Sequence, residues 1–481
     1  VFEDLEYSSS ARELSFRKSH SAIGSRQKPP RRQFVLVLRI LCLIGLASIV
    51  AATEVATRAR FSEGAEADMA TLETKIIQGP GVADLLAYAY RTNPTIKAAR
   101  EEWRAKVARY RVDTAYEDPE VMFEGMYMTK GFGGTARPDD WKVSLTQMIP
   151  LPGKLGKAGE VATAEARIGR LKLDATVRDL TVQLRESYQE LLYIRDARRI
   201  ADQNREILDQ LRKVGETAYA QNRAALVDMM KAQSQSGQLL YDALLIEELE
   251  RTEKTRLNSL LSRPPEALIG PLTEEPLRLV VYKLDEIYQL ADQNLEEIRM
   301  AQSGIEKAQS TLALARYDVL PQFKLGASIG EEDGATQVGV LAGLTVPLWF
   351  GKNAARLEQA RAEVEAAKAM KEAQVNETHT MVRDNYFRLQ NSERLVRLYR
   401  DQLLPQAAKA MELAETWYRQ RQGSFSDFIE TGAVWYNFQL ALARAKADYG
   451  KFLARLEKLA GRALSQKDET PSKAGSKEGS R

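Results

Sequence analysis

From Val82 to Val107 apolar side chains recur at about 3.6-residue spacing, through Leu85, Leu86, Tyr90, Ile96, Ala99 and Trp103, which predicts amphipathic helix ending before Pro119. The period then falls to two. Val121 to Thr129 and Trp141 to Ile149 alternate around Gly131, Gly133, Gly134 and Pro138, predicting two strands joined by a long hairpin loop. Beyond Pro150-Leu151-Pro152-Gly153-Lys154 no proline occurs before Pro264. The stripe Val161, Ala164, Ile168, Ala175, Leu184, Tyr188, Leu191, Ile207, Leu211 and Val214 there predicts a helix of about sixty residues, about 90 Å long. It reverses at the polar stretch Ala220-Gln221-Asn222-Arg223, ahead of Asp228, and helical pattern resumes to about Leu261.

The same order is then written again. Gln322 to Ile329 and Val338 to Val346 alternate around Gly330 and Gly334, and Pro347-Leu348-Trp349-Phe350-Gly351-Lys352 opens a second long helical stretch from Asn353 to Gln420. Near-heptad spacing of Leu357, Val364, Val375, Val382, Leu389, Val396 and Leu403 predicts helices that supercoil, with a kink at Pro405. This stretch reverses at Arg421-Gln422-Gly423-Ser424, ahead of Asp427, and helix resumes to Leu464. Tyr188 and Tyr386, Pro119 and Pro321, and Tyr219 and Tyr418 form pairs about 200 residues apart, the mark of a duplicated unit. The expected domains are a first repeat over 82–263, a proline-rich connector over 264–282 and a second repeat over 283–464.

Flanking segments read differently. A basic pair at Arg31-Arg32, an apolar run from Ile40 to Ala52 and a small-residue exit make 1–52 an expected leader and secretory signal. Residues 465–481, rich in Lys, Ser, Glu and Gly, are expected to be a disordered tail.

Composition narrows the function classes. The chain has 69 Lys and Arg against 66 Asp and Glu, a net charge of +3, so no global field attracts nucleic acid. Cys42 is its one cysteine, and His20 and His379 are its two histidines, which exclude a disulfide framework and a His-rich metal cage. His379 lies mid-helix with no nucleophile beside it, and carboxylates such as Glu247, Glu248, Glu363 and Glu365 fit charged helix faces; no catalytic residue and no cofactor site is assigned. Gly153-Lys154 lacks the flanking residues of a phosphate loop, since Met148 and Leu155 stand where Gly and Ser or Thr belong. Pro150, Gly153 and Lys154, like Pro347, Gly351 and Lys352, read as strand-to-helix turns.

The fold class expected is mainly α with a small membrane β-part. Alternation of Phe323, Leu325, Ala327 and Ile329 with Lys324, Gly326 and Ser328, and of Trp141, Val143 and Leu145 with Lys142, Ser144 and Thr146, suits strands with one lipid face. Four strands cannot close a channel, and open edges cannot face lipid, so several chains are expected to pool theirs.

The doubled plan, both Pro-Leu turns leading into Ala-rich helices, and the exit Leu344-Thr345-Val346-Pro347-Leu348 resemble the TolC family of outer-membrane efflux proteins over roughly Val82 to Leu464. The resemblance implies a homotrimer whose strands close one twelve-stranded barrel, continued by duplicated helical hairpins as a hollow α-barrel. It implies residence in the outer membrane of a Gram-negative cell, most of the chain in the periplasm, contact with outer-membrane lipid, and passive export of small molecules or metal ions. It further implies a periplasmic adaptor and an inner-membrane pump of the RND type as partners. The turn Pro150 to Lys154 is similar to the heavy-metal branch. Met122, Glu124, Met126 and Met128 share one face of the first strand and suit copper(I) or silver(I) in a lumen, or adaptable packing. At the tips Asn222, Arg223, Asp228, Arg421, Gly423, Ser424 and Asp427 are the candidate gate and adaptor surface, or ordinary solvated turns. The rival readings are a periplasmic adaptor, which should show one hairpin between small β-domains, and a coiled-coil scaffold of the cell envelope.

Overall fold

The computed structural model describes residues 68–128, 137–220, 226–274, 276–332, 335–420 and 422–465. The expected signal and tail lie outside the described residues, apart from Ser465. The chain divides into Val1–Met69 and Ala70–Arg481, and the architecture below is that of the second unit.

Its elements run in order: α1 (helical residues 70–78), α2 (Val82–Thr92), α3 (Pro94–Asp113), β1 (Glu120–Met128), β2 (Arg137–Ile149), α4 (Lys154–Ala220) and α5 (Leu226–Leu260). After the connector come α6 (Leu284–Asn294), α7 (Glu296–Asp318), β3 (Gln322–Glu332), β4 (Ala335–Thr345), α8 (Phe350–Leu398), α9 (Leu404–Arg419) and α10 (Phe425–Ala460). Each repeat therefore reads two short helices, two strands and two long rods, the first rod of the second repeat being α8 followed by α9.

Helix α4 has 67 residues, about 100 Å at the usual rise. It packs against α3, α5, α7 and α10, while α8 packs against α6, α7 and α10, so the two repeats interleave. Their shared core joins Ile287, Ala291 and Leu295 to Val382 and Leu389 of α8 and Tyr449 and Leu456 of α10. Val382, Leu389 and Val396 are buried at heptad spacing, as the sequence predicts. Pro405 does not break the rod. Residues Tyr399–Leu403 widen into one π-helical turn, the Leu404 N–H donates to Tyr399 O, and Pro405 enters the first turn of α9, where its missing N–H costs nothing.

Short helices start where the sequence supplies caps. Asn93 accepts from the N–H groups of Thr95 and Ile96 ahead of α3, with Pro94 in its first turn. Gly461 closes α10 in the left-handed region at φ 72°.

All four strands join one antiparallel sheet in the order β1-β2-β3-β4. The two hairpins expected from local alternation are present. The pairing of β2 with β3, which welds the repeats together, is set by their register from Trp141 opposite Glu331 to Ile149 opposite Phe323.

Candidate functional site

Directly opposed residues in antiparallel strands share a face. Val121 and Phe123 on β1 face Leu145 and Val143 on β2, which face Ala327 and Ile329 on β3, which in turn face Val340 and Val338 on β4. Phe323 and Leu344 extend this row toward the helices. The other face carries Glu120, Met122 and Glu124, then Lys142, Ser144 and Thr146, then Lys324, Gly326 and Ser328. Thus the two alternations legible in the sequence are brought into register as one apolar and one polar surface.

On β3 exposure is inverted relative to a water-soluble sheet. Phe323, Leu325, Ala327 and Ile329 are exposed while Lys324, Gly326 and Ser328 between them are half-buried. Val338 and Val340 are 79% and 89% exposed, and no helix covers them. On the polar face Lys324 Nζ lies 2.8 Å from Glu120 Oε2, and Thr146 beneath them is buried. Glycines let the strands approach on that side, since a Cβ at Gly330 would sit 2.4 Å from Trp141 O and one at Gly326 2.7 Å from Leu145 O. Both outer strands, β1 and β4, keep an unpaired edge within the chain.

The comparisons agree with this geometry. Residues 287–462 match the family model described as outer membrane efflux protein. That stretch, most of the second repeat, is the part of the chain that carries the outer membrane efflux protein signature. Among solved structures, VceC from Vibrio cholerae is similar at a TM-score of 0.68 and 16% identity, over 80% of this chain and 96% of that one. The open state of MtrE from Neisseria gonorrhoeae gives 0.69 at 17% identity, over 80% and 89% of the two chains. CusC, solved in a study of transmembrane channel formation, gives 0.70 at 15% identity, over 81% and 94%. No curated protein sequence matches the chain.

The turns leading from sheet to helix differ between the two repeats. Gly153 has φ 95°, and a Cβ there would lie 2.6 Å from the Tyr317 hydroxyl. Lys154 Nζ pairs with Asp318 Oδ1 at 2.9 Å, so this turn is pinned to the end of α7. Gly351 is already helical, and a Cβ would meet nothing within 4 Å. There the turn is held by Asn353 Nδ2 donating to Pro347 O. Gly153→Ala should cost about 1–3 kcal/mol through the left-handed backbone and the tyrosine clash, whereas Gly351→Ala should be neutral or better. Thermal melting of the two variants checks this.

The connector is fastened by buried polar groups that sequence reasoning missed. Tyr188 is fully buried, donates to Thr273 O at 2.7 Å and accepts from Thr273 N–H at 3.1 Å. Arg195 donates to the carbonyls of Ile269 and Gly270. Glu250 receives Arg195, Arg198 and Lys254. Burial pushes the Glu250 carboxyl up, but those three cations outweigh burial and hold its pKa below the usual value. In the second repeat Tyr449 donates to Arg278 O at 2.6 Å, and burial drives its pKa up to about 12. Apart from the i,i+4 pair of Glu250 and Lys254, no signal in sequence spacing marks these contacts, because they join residues far apart in the chain.

The remaining sequence candidates fall in several places. Met122 and Glu124 are exposed on the polar face; the side chains of Met126 and Met128 lie outside the described residues. Lys142 stands opposite Glu124 in register. Among the described residues no group of three or more His, Cys, Asp or Glu is arranged to hold a metal ion. At the tips Asn222, Arg223 and Arg421 lie outside the described residues, as does the side chain of Asp228. Ser424 and Asp427 form a reciprocal capping box, with the Asp427 N–H donating to Ser424 Oγ at 3.0 Å, and Gly423 precedes it. Lys231 donates to Ser426 Oγ at 2.7 Å, joining α5 to α10 at this end. His379 meets Asp292 at 2.9 Å and lies against the Tyr288 ring, a contact between helices. Glu247 pairs with Arg251, and Glu365 with Lys368, along single helix faces.

Proposed function

We propose that three copies of this chain pool their four-stranded sheets into one closed barrel and act as a passive duct from periplasm to exterior. What supports it is the register of the sheet: apolar residues gather on one uncovered face, while charged and small residues gather on the other. A lipid-embedded barrel requires that arrangement, and open edges in hydrocarbon are excluded because each unpaired N–H or C=O there costs several kcal/mol. Closure between β4 of one copy and β1 of the next satisfies both edges.

Solutes would move along the face bearing Glu120, Glu124, Lys142, Lys324 and Ser328. Lys142 opposite Glu124 favours a general polar lumen over a selective copper(I) or silver(I) contact at Met122. The long helices α4, α5, α8, α9 and α10 continue the duct into the periplasm, and their tips around Ser424 and Asp427 are the surface for a periplasmic adaptor and, through it, an inner-membrane pump. The chain itself supplies no energy. Purified protein added to a planar lipid bilayer should give stepwise, ohmic conductance; insertion without current steps would contradict the duct.

A further inference from the structure

Where β4 hands over to α8, three large apolar residues stand in the open. Leu348 is 65% exposed, Trp349 76% and Phe350 77%, with Val346 exposed just before them. Their placement is fixed by backbone and not by side-chain packing. The Phe350 N–H donates to Leu348 O at 3.0 Å, and Trp349 has φ −83° and ψ 74°, an inverse γ-turn that thrusts the indole outward. Asn353 secures the turn twice, through its N–H to Trp349 O and its side chain to Pro347 O.

Two features show that this wedge is not a turn adapted to water. Trp349 occupies the N-cap of α8 without any side-chain cap hydrogen bond. Ser, Thr, Asp or Asn there would satisfy an orphan N–H of the first turn, and their absence costs typically about 1 kcal/mol. The wedge is also continuous with the apolar sheet face, which ends at this level in Ile149, Phe323 and Leu344. The matching turn of the first repeat is different: Pro150 to Lys154 has no aromatic residue and is pinned against Tyr317 and Asp318.

We infer that Leu348, Trp349 and Phe350 form a membrane anchor that docks into phospholipid at the periplasmic boundary of the outer membrane, one per copy and only at the second repeat. The inference rests on the barrel reading above. Phe350 and Leu348 enter the upper acyl region. The Trp349 indole N–H reaches the polar headgroup level, the placement aromatic belts adopt in barrels. Exposed Lys352, two residues beyond Phe350, lies beside the lipid phosphates. Trp141, paired in register with Glu331 near the hairpin end of the sheet, marks the opposite boundary.

The chain has five tryptophans, at 103, 141, 349, 417 and 435. Two full-length variants test the anchor, one keeping only Trp349 and one keeping only Trp141, the others changed to Phe. Both are placed in phosphatidylcholine nanodiscs whose acyl chains carry bromine near the carbonyl end or near the terminus. Trp349 should lose most of its emission to the shallow bromines and little to the deep ones. Quenched Trp141 with unquenched Trp349 overturns the anchor and leaves the barrel standing, and a blue-shifted, unquenched Trp349 means that a second copy of the chain covers the turn instead. If neither is quenched, the membrane reading fails with it. A nitroxide on Trp349→Cys in a Cys42→Ala background keeps four native tryptophans and gives an independent readout. Relaxation by oxygen is expected, and relaxation by a water-soluble nickel chelate overturns the anchor.

Discussion

Arginine at Val340 should abolish assembly, whereas arginine at the next residue, Leu341, should leave it intact and change conductance. Val340 lies midway along β4 on the apolar face and is the most exposed large hydrophobic residue of the sheet. Leu341 has the same depth but opposes Gly326 on the polar face. A charge on the lipid face at the bilayer midplane costs about 2–4 kcal/mol per copy, and the symmetry of the assembly multiplies it. On the lumen face the guanidinium stays in water. The check is the amount of heat-modifiable oligomer recovered from outer membranes. Equal loss from both variants would mean that the sheet has two equivalent faces, against the register described here.

Tyr188→Ala should destabilise the helical stem far more than Tyr386→Ala, although the two tyrosines occupy matching places in the duplicated sequence. Tyr188 has 0% exposure and bridges both backbone groups of Thr273, so truncation opens a large cavity and removes both of those hydrogen bonds. Aromatic-to-alanine changes at such sites cost about 3–5 kcal/mol, and the lost hydrogen bonds add to that. Tyr386 is half-buried at the margin of the core shared by α6, α8 and α10, and its loss should cost about half as much. Tyr188→Phe keeps the ring and isolates the hydroxyl, at about 1–3 kcal/mol. Chemical denaturation of the purified protein followed by helical circular dichroism gives all three values. Equal midpoints for the two alanine variants would show that the repeats remain energetically equivalent.

How far the sequence carries depends on whether the information is local. Strand faces were legible because Phe323 to Ile329 and Trp141 to Thr146 alternate within a few residues, and the rods because heptad spacing persists from Val375 to Val396. The strands themselves run somewhat longer than alternation alone indicates, with β3 reaching Glu332 and β2 beginning at Arg137. The kink expected at Pro405 became a π-turn over Tyr399–Leu403, because a rod packed along its length can absorb a missing bond without bending out of the bundle. Pairing of β2 with β3 was not legible, since it joins segments separated by the whole of α4 and α5. Likewise, Pro150 to Lys154 and Pro347 to Lys352 look alike as text. One is folded against Tyr317 and the other is bare, a difference that arises from their neighbours. The tips were legible as reversals; that Ser424 and Asp427 cap α10 emerged only from the structure, and Arg223 and Arg421 lie outside the described residues.

The mass of the mature protein in detergent, corrected for bound detergent by light scattering, bears most directly on shared barrel closure. Three chains per particle is the predicted value. A particle of one chain, with β1 and β4 edges left unpaired, would contradict it.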